Sequence, residues 1–108
     1  MYIDIAIATI PVDETVSNGV FLKNGIAGAI QMPAAMDGTA LTFQVSYDDV
    51  TYTALYATGG TEISYTVAAS RVIPLDPAVF GAFQYLKLVS GSTETASAEF
   101  IIYIRAGT

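Results

Sequence analysis

From Leu41 to Tyr47 apolar and polar residues alternate one for one, with Leu41, Phe43, Val45 and Tyr47 set against Thr42, Gln44 and Ser46. Successive side chains of an extended backbone point to opposite faces, so such a run has one apolar face only as a strand. The pattern recurs along the chain. Ile3, Ile5 and Ile7 alternate with Tyr2, Asp4, Ala6 and Ala8, and Ile63, Tyr65 and Val67 share a face. Gly, Asn, Asp or Pro breaks each run at short intervals, and no stretch longer than one turn has helical periodicity. This combination predicts an all-β fold.

The breaks locate the strands. Ile10-Pro11 ends the first, because proline cannot donate to a ladder. Thr15 to Lys23 reads as a strand kinked at Asn18-Gly19, and a turn at Asn24-Gly25 leads into Ile26 to Met32. After the loop "MPAAMDG" come Thr39 to Tyr47, Tyr52 to Tyr56, Glu62 to Val67, Arg71 to Leu75, Gln84 to Ser90 and Ala96 to Arg105. In the strand at Thr39, Leu41, Phe43, Val45 and Tyr47 are expected to point inward. Phe100, Ile102 and Ile104 face Ile101 and Tyr103 across the last strand, so both of its faces are apolar and it is expected to be central or covered by a partner. "DPAVFG" is the exception to the strands: Asp76 can cap, Pro77 suits the first helical position and Gly81 the stop, which predicts one turn of helix. About eight or nine short strands at this spacing predict an antiparallel β-sandwich or a barrel, as a single domain, residues 1–108.

Composition narrows the chemistry. The 108 residues carry 4 Lys and Arg against 10 Asp and Glu, a net charge of −6. The basic residues Lys23, Arg71, Lys87 and Arg105 stand singly, so no patch is offered to phosphates and neither direct nucleic-acid binding nor an anionic membrane surface is expected. The start of the chain carries no basic stretch, and Asp4 interrupts its apolar run, so it does not read as a signal peptide. There is no cysteine and no histidine. A histidine-based triad, thiol chemistry and the commonest metal ligand are thereby excluded. Hydrophobic residues reach 53% with only 13% charged, which points to apolar surface covered by something else.

Among candidate sites, Asp48-Asp49 lies between two strands and reads as a hairpin tip, since aspartate bonds nearby backbone N–H groups. A calcium site there needs six to eight oxygens, so Asp37 or Asp76 would have to converge on the pair. Paired carboxylates could also serve a glycosidase, but any acidic chain offers such pairs. The tyrosines and phenylalanines suggest a sugar-stacking surface, against which stand their inward pattern and the absence of tryptophan. No catalytic, metal or cofactor-binding residue is nominated, and no enzyme is expected.

The order of "IAGAIQMP", "LTFQVSYDDVTYTALY", "RVIPLDPAVFGAFQYLKLVSG" and "AEFIIYI" resembles the discoidin-like, or galactose-binding-like, jelly-roll sandwich. Tyr47 to Tyr52 stands at that family's hairpin and Gln84 to Leu88 at its "aRYLKL"-type strand. The combination is similar to small proteins encoded among the head and tail genes of tailed phages and prophages, matching at Ile30 to Met36, Leu41 to Tyr56 and Ile73 to Ser92. The family's Asp-Gly tip is Asp48-Asp49 here, and its aromatic after "MPAA" is Met36. The resemblance implies a jelly roll of about eight strands and a virion structural protein, most naturally a decoration or cement protein on the capsid surface. Its partners would be the major capsid protein or other virion proteins, in a homo-oligomer or many-copy assembly without a cofactor. The alternatives are a carbohydrate-binding module of a tail or fibre and a head–tail connector or tail component. Residues 1–12 are expected to form an edge strand or a strand shared between subunits. The candidate interface is Tyr2, Ile3, Ile5, Ile7, Met32, Met36, Ile101 and Tyr103.

Overall fold

A computed structural model describes residues 2–105; the side chains of Tyr2 and Ile3 lie outside what it describes. Nine strands form among these residues: β1 (Tyr2–Ile10), β2 (Val20–Phe21), β3 (Ile26–Gln31), β4 (Ala40–Ser46), β5 (Thr53–Ala54), β6 (Ser64–Thr66), β7 (Val72–Pro74), β8 (Tyr85–Ser90) and β9 (Ala98–Arg105). One helical turn, α1 (Pro77–Phe80), precedes β8. The first sheet has the order β1-β9-β3-β7, the second β2-β8-β4-β5 with β6 also on β4. Every pairing is antiparallel. The molecule is a β-sandwich.

The core lies between the sheets. Ala8, Ile10, Ala27, Ile30, Phe100, Ile102 and Ile104 enter it from the first sheet, and Val20, Leu41, Phe43, Leu86 and Leu88 from the second. Phe43 stacks edge-on against Phe80 of α1 and Tyr65 of β6, at 5.0 and 5.7 Å between ring centroids. Such edge-to-face pairs add to area burial, and they fix the helical turn over the open end of the second sheet. Asp76 caps that turn by accepting from Ala78 N–H at 2.9 Å, as the "DPAVFG" pattern predicts.

Several expectations hold. β9 sits between β1 and β3, the central position expected of it. Leu41 and Phe43 are fully buried, and Val45 packs against the core. The turn after β2 lies one residue earlier than predicted: Lys23 and Asn24 have φ of 55° and 64°, and Gly25 N–H bonds Leu22 O at 2.8 Å. This is the two-residue geometry that asparagine tolerates. Here it hands the chain from one sheet to the other and does not close a hairpin.

Two expectations are corrected. Tyr47 does not point inward; it is 84% exposed, because β4 ends at Ser46 and the strand alternation ends with it. Ser46, expected outward, is buried, held by its bonds to the turn that follows.

Candidate functional site

The register of the first sheet assembles an apolar outer face. Ile7, Ile101, Gln31 and Val72 lie side by side across its four strands, and Ile5, Tyr103, Ala29 and Pro74 form the next row. Their neighbours along each strand, such as Ala8, Ile102 and Ile30, occupy the core, so the pleat sends these residues out. Ile5, Ile7 and Val72 are 37%, 44% and 54% exposed. Within this face the Tyr103 hydroxyl bonds Gln31 Oε1 at 2.7 Å, so the two polar groups in the centre satisfy each other. The isoleucine face of β1 is the outer one and its alanine face the inner one. Small residues stand there beside the large inward Ile102 and Phe100 of β9.

Of the candidate interface residues, the structure thus brings Ile5, Ile7, Ile101 and Tyr103 together. Tyr2 belongs to β1 by its backbone, while its side chain and that of Ile3 lie outside the described residues. Met32 and Met36 do not join. Met32 is buried in the core and Met36 packs against it, because the loop after β3 folds over the end of the sandwich. Ala29, Val72 and Pro74 were missed. The inward Ile73 hints that Val72 points out, but only strand register places it beside Gln31.

The edge of β1 is closed to strand addition at two places. Ile5 N–H donates to Asp4 Oδ1 at 2.7 Å, and Lys23 Nζ donates to Ile5 O at 3.3 Å while pairing with Asp4 at 2.9 Å. Further along, Thr9 N–H donates to Asn18 Oδ1 at 2.8 Å, and Asn18 N–H donates to Thr9 O at 3.3 Å. Occupied edge groups and a lysine at the edge are the usual guards against edge-to-edge pairing. β1 is an edge strand of its own sheet, and what it offers a neighbour is its face.

Asp48-Asp49 forms the tip between β4 and β5. Asp48 Oδ1 accepts from Val50 N–H at 2.9 Å, Thr51 N–H at 3.1 Å and the Ser46 hydroxyl at 2.9 Å. The Val50 and Thr51 N–H bonds, then that of Ser46, hold its pKa below the ordinary value. Asp49 sits at φ 62°, a conformation that aspartate tolerates, and accepts from the Tyr52 hydroxyl. Partial burial, then this bond, pushes the Tyr52 pKa up. Lys87 Nζ lies 4.4 Å from the centre of the Tyr52 ring. Among the described residues no three Asp or Glu side chains converge, so neither Asp37 nor Asp76 joins the pair.

Glu94 was not singled out by the sequence, yet it is 1% exposed. Its carboxylate accepts from Asp37 N–H at 2.9 Å, Gly38 N–H at 3.0 Å and the Ser90 hydroxyl at 2.8 Å. Burial pulls its pKa up, and the donors of Asp37, Ser90 and Gly38 outweigh that, leaving it lowered. A Cβ on Gly38 would lie 3.3 Å from Glu94 Oε2 and collide with the Ser90 hydroxyl, so this close approach needs glycine. The cluster pins three loops at one end of the sandwich. A glutamate in "GSTETAS" carries no pattern that marks it as buried.

Beside the hairpin tip two shallow apolar grooves, about 350 and 400 Å³, share Ala82 and Phe83. Tyr47 lines the first and Tyr56 the second, and both tyrosines are exposed. The inward pattern expected of the aromatic residues therefore does not hold at this corner of the molecule.

No protein-family model matches the chain, and no curated protein matches it.

Proposed function

We propose that the chain is a non-enzymatic structural protein of a tailed-phage virion, acting as a capsid decoration or cement protein. The observation that carries the structural role is the flat apolar outer face of the β1-β9-β3-β7 sheet. A contiguous apolar surface of this kind marks an interface more often than a catalytic site. The virion setting rests on the sequence resemblance at Ile30 to Met36, Leu41 to Tyr56 and Ile73 to Ser92. A jelly-roll or discoidin-like connection of the two sheets belongs to the same proposal. The mechanism is passive: a rigid sandwich adds buried area in many copies to a symmetric shell. Purified virions carrying the protein in a fixed ratio to the major capsid protein support the reading. Virions that lack it, from cells that express it, overturn it.

A second reading, a carbohydrate-binding module of a tail or fibre, is favoured by one observation. Exposed Tyr47 and Tyr56 flank the paired grooves, and flat aromatic faces are what sugars stack on. A glycan array decides between them: competable binding lost in Tyr47→Ala establishes the module, and a blank array removes it.

A further inference from the structure

We propose that the outer face of the first sheet docks a second copy of this chain, stacked face to face about a two-fold axis that lies across the strands. The proposal rests on reading that face as an interface and is independent of the virion setting. Two properties of the face select the occupant. Its side chains along β9 are self-complementary in charge, and the row is neutral in sum whereas the chain as a whole carries −6.

The outward residues of β9 are, in order, Glu99, Ile101, Tyr103 and Arg105. An acid stands at one end, a base at the other, and two large apolar groups between them. A two-fold axis across the strands lays β9 antiparallel over its copy. Glu99 then meets Arg105 of the second copy, Ile101 meets Tyr103, and Ile5 on β1 meets Ile7. A two-fold axis along the strands would instead set Glu99 level with Glu99 and Arg105 level with Arg105, which like-charge repulsion disfavours. An unrelated acidic or basic partner matches only one end of the row. The chain as a whole carries −6, so two copies repel through most of their surfaces and approach best through this row.

Arg105 is prepared for that contact. Its side chain runs over Gly28, where a Cβ would lie 3.4 Å from Cγ and Cδ, at the point where the β3–β9 register shifts. Its Nε is buried and has no hydrogen-bond partner among the described residues. The stem is thus held against the sheet at the end of the row, and the terminal guanidinium N–H groups, not the enclosed Nε, are what a carboxylate of a second copy would meet. The guarded edge of β1 removes the competing mode, strand addition, at Ile5 and Thr9. The footprint is small: four strands spaced by about 4.8 Å and some six residues long give on the order of 400 Å² per copy. That is about half of the roughly 800 Å² per partner of a standard specific interface and falls among weak, transient contacts, so association is weak and needs high protein concentration.

Sedimentation equilibrium of the purified chain, taken to the highest soluble concentration, tests this. The wild type should pass from monomer to dimer. Glu99→Arg and Arg105→Glu should each be monomeric where the wild type is dimeric, since each places like charges at both ends. Mixing those two variants should restore association, about tenfold or more tighter than either alone, because every end then pairs opposite signs. Ile7→Lys should abolish the dimer and leave the melting temperature near wild type; it serves if Arg105→Glu does not fold. A wild type that stays monomeric throughout, or a dimer that Ile7→Lys leaves intact, overturns the proposal. Failure of the mixture to associate overturns the two-fold arrangement.

Discussion

The outer faces of the two sheets differ in kind, although both sheets send their inner faces into one core. The first sheet presents Ile5, Ile7, Ile101, Tyr103, Ala29, Val72 and Pro74. The second presents Thr42, Gln44, Ser64 and Lys87 with Val89, carries the stacked Phe21–Tyr85 pair at its β2 edge, and has its own hairpin leaning over it: Tyr52 covers Lys87 and bonds Asp49. Along β4 polar alternation solvates the second face, and apart from Val89 its apolar part lies at the Phe21–Tyr85 edge. The first has no such alternation and no segment of the described chain across it. An antiparallel sheet with one solvated face shows hydrophobic-in, polar-out alternation; β4 obeys this, whereas β9 does not.

The largest expected effect strikes both sheets equally. Phe43 is fully buried where the second sheet meets α1 and Tyr65, and Phe43→Ala should cost about 3–5 kcal/mol, read as a fall in denaturation midpoint. A Phe43→Ala melt superimposable on wild type would place that face of β4 in solvent.

Glu94→Ala comes next. It strands the Asp37 and Gly38 N–H groups and the Ser90 hydroxyl inside the fold, for about 3 kcal/mol. Because its folded pKa lies below the ordinary 4.5, its contribution is present above that value and is lost as pH falls through the folded pKa. Wild-type stability should therefore drop below about pH 4.5, and more steeply than that of Glu94→Gln. Equal acid slopes in the two proteins would refute this account.

Tyr52 separates the two faces at the other end of the pH scale. Its pKa is raised, so its contribution is present below the ordinary tyrosine value and lost as pH rises through the folded pKa. The wild type should lose stability in strong alkali, and Tyr52→Phe should lose less. Substituting Asn-Gly for Asp48-Asp49 should lower the melt only slightly, since asparagine offers the same Oδ1, glycine accepts φ 62°, and the bond lost from Tyr52 to Asp49 is an exposed one. A large loss that calcium restores would make the tip a metal site.

The smallest effect on stability is the sharpest for the comparison. Ile7→Ser on the first outer face should change the isolated chain by no more than about 0.5 kcal/mol, as exposed positions do, while weakening self-association. A Thr42→Ser change on the second face should alter neither.

Local chemistry by itself determined a good deal here. Alternation and turn residues located the strands, the Asp76–Gly81 pattern located the one helical turn, and the two-sided apolar composition of β9 made it central. These follow from short-range rules, the two-residue period of a strand and the φ demands of turns, which need no knowledge of neighbours. What the tertiary structure alone decided was which of two legible faces went inside. β1 offered an isoleucine face and an alanine face, and the alanine face went in, where Ala6 and Ala8 stand beside the large inward Ile102 and Phe100 of β9. Long-range packing likewise buried Met32 under the loop after β3, the end of β4 at Ser46 turned out Tyr47, and donors from distant loops enclosed Glu94. Period two defines a pair of faces and is silent on their direction; long-range packing and hydrogen bonding choose between them, and that choice made the outer face of the first sheet.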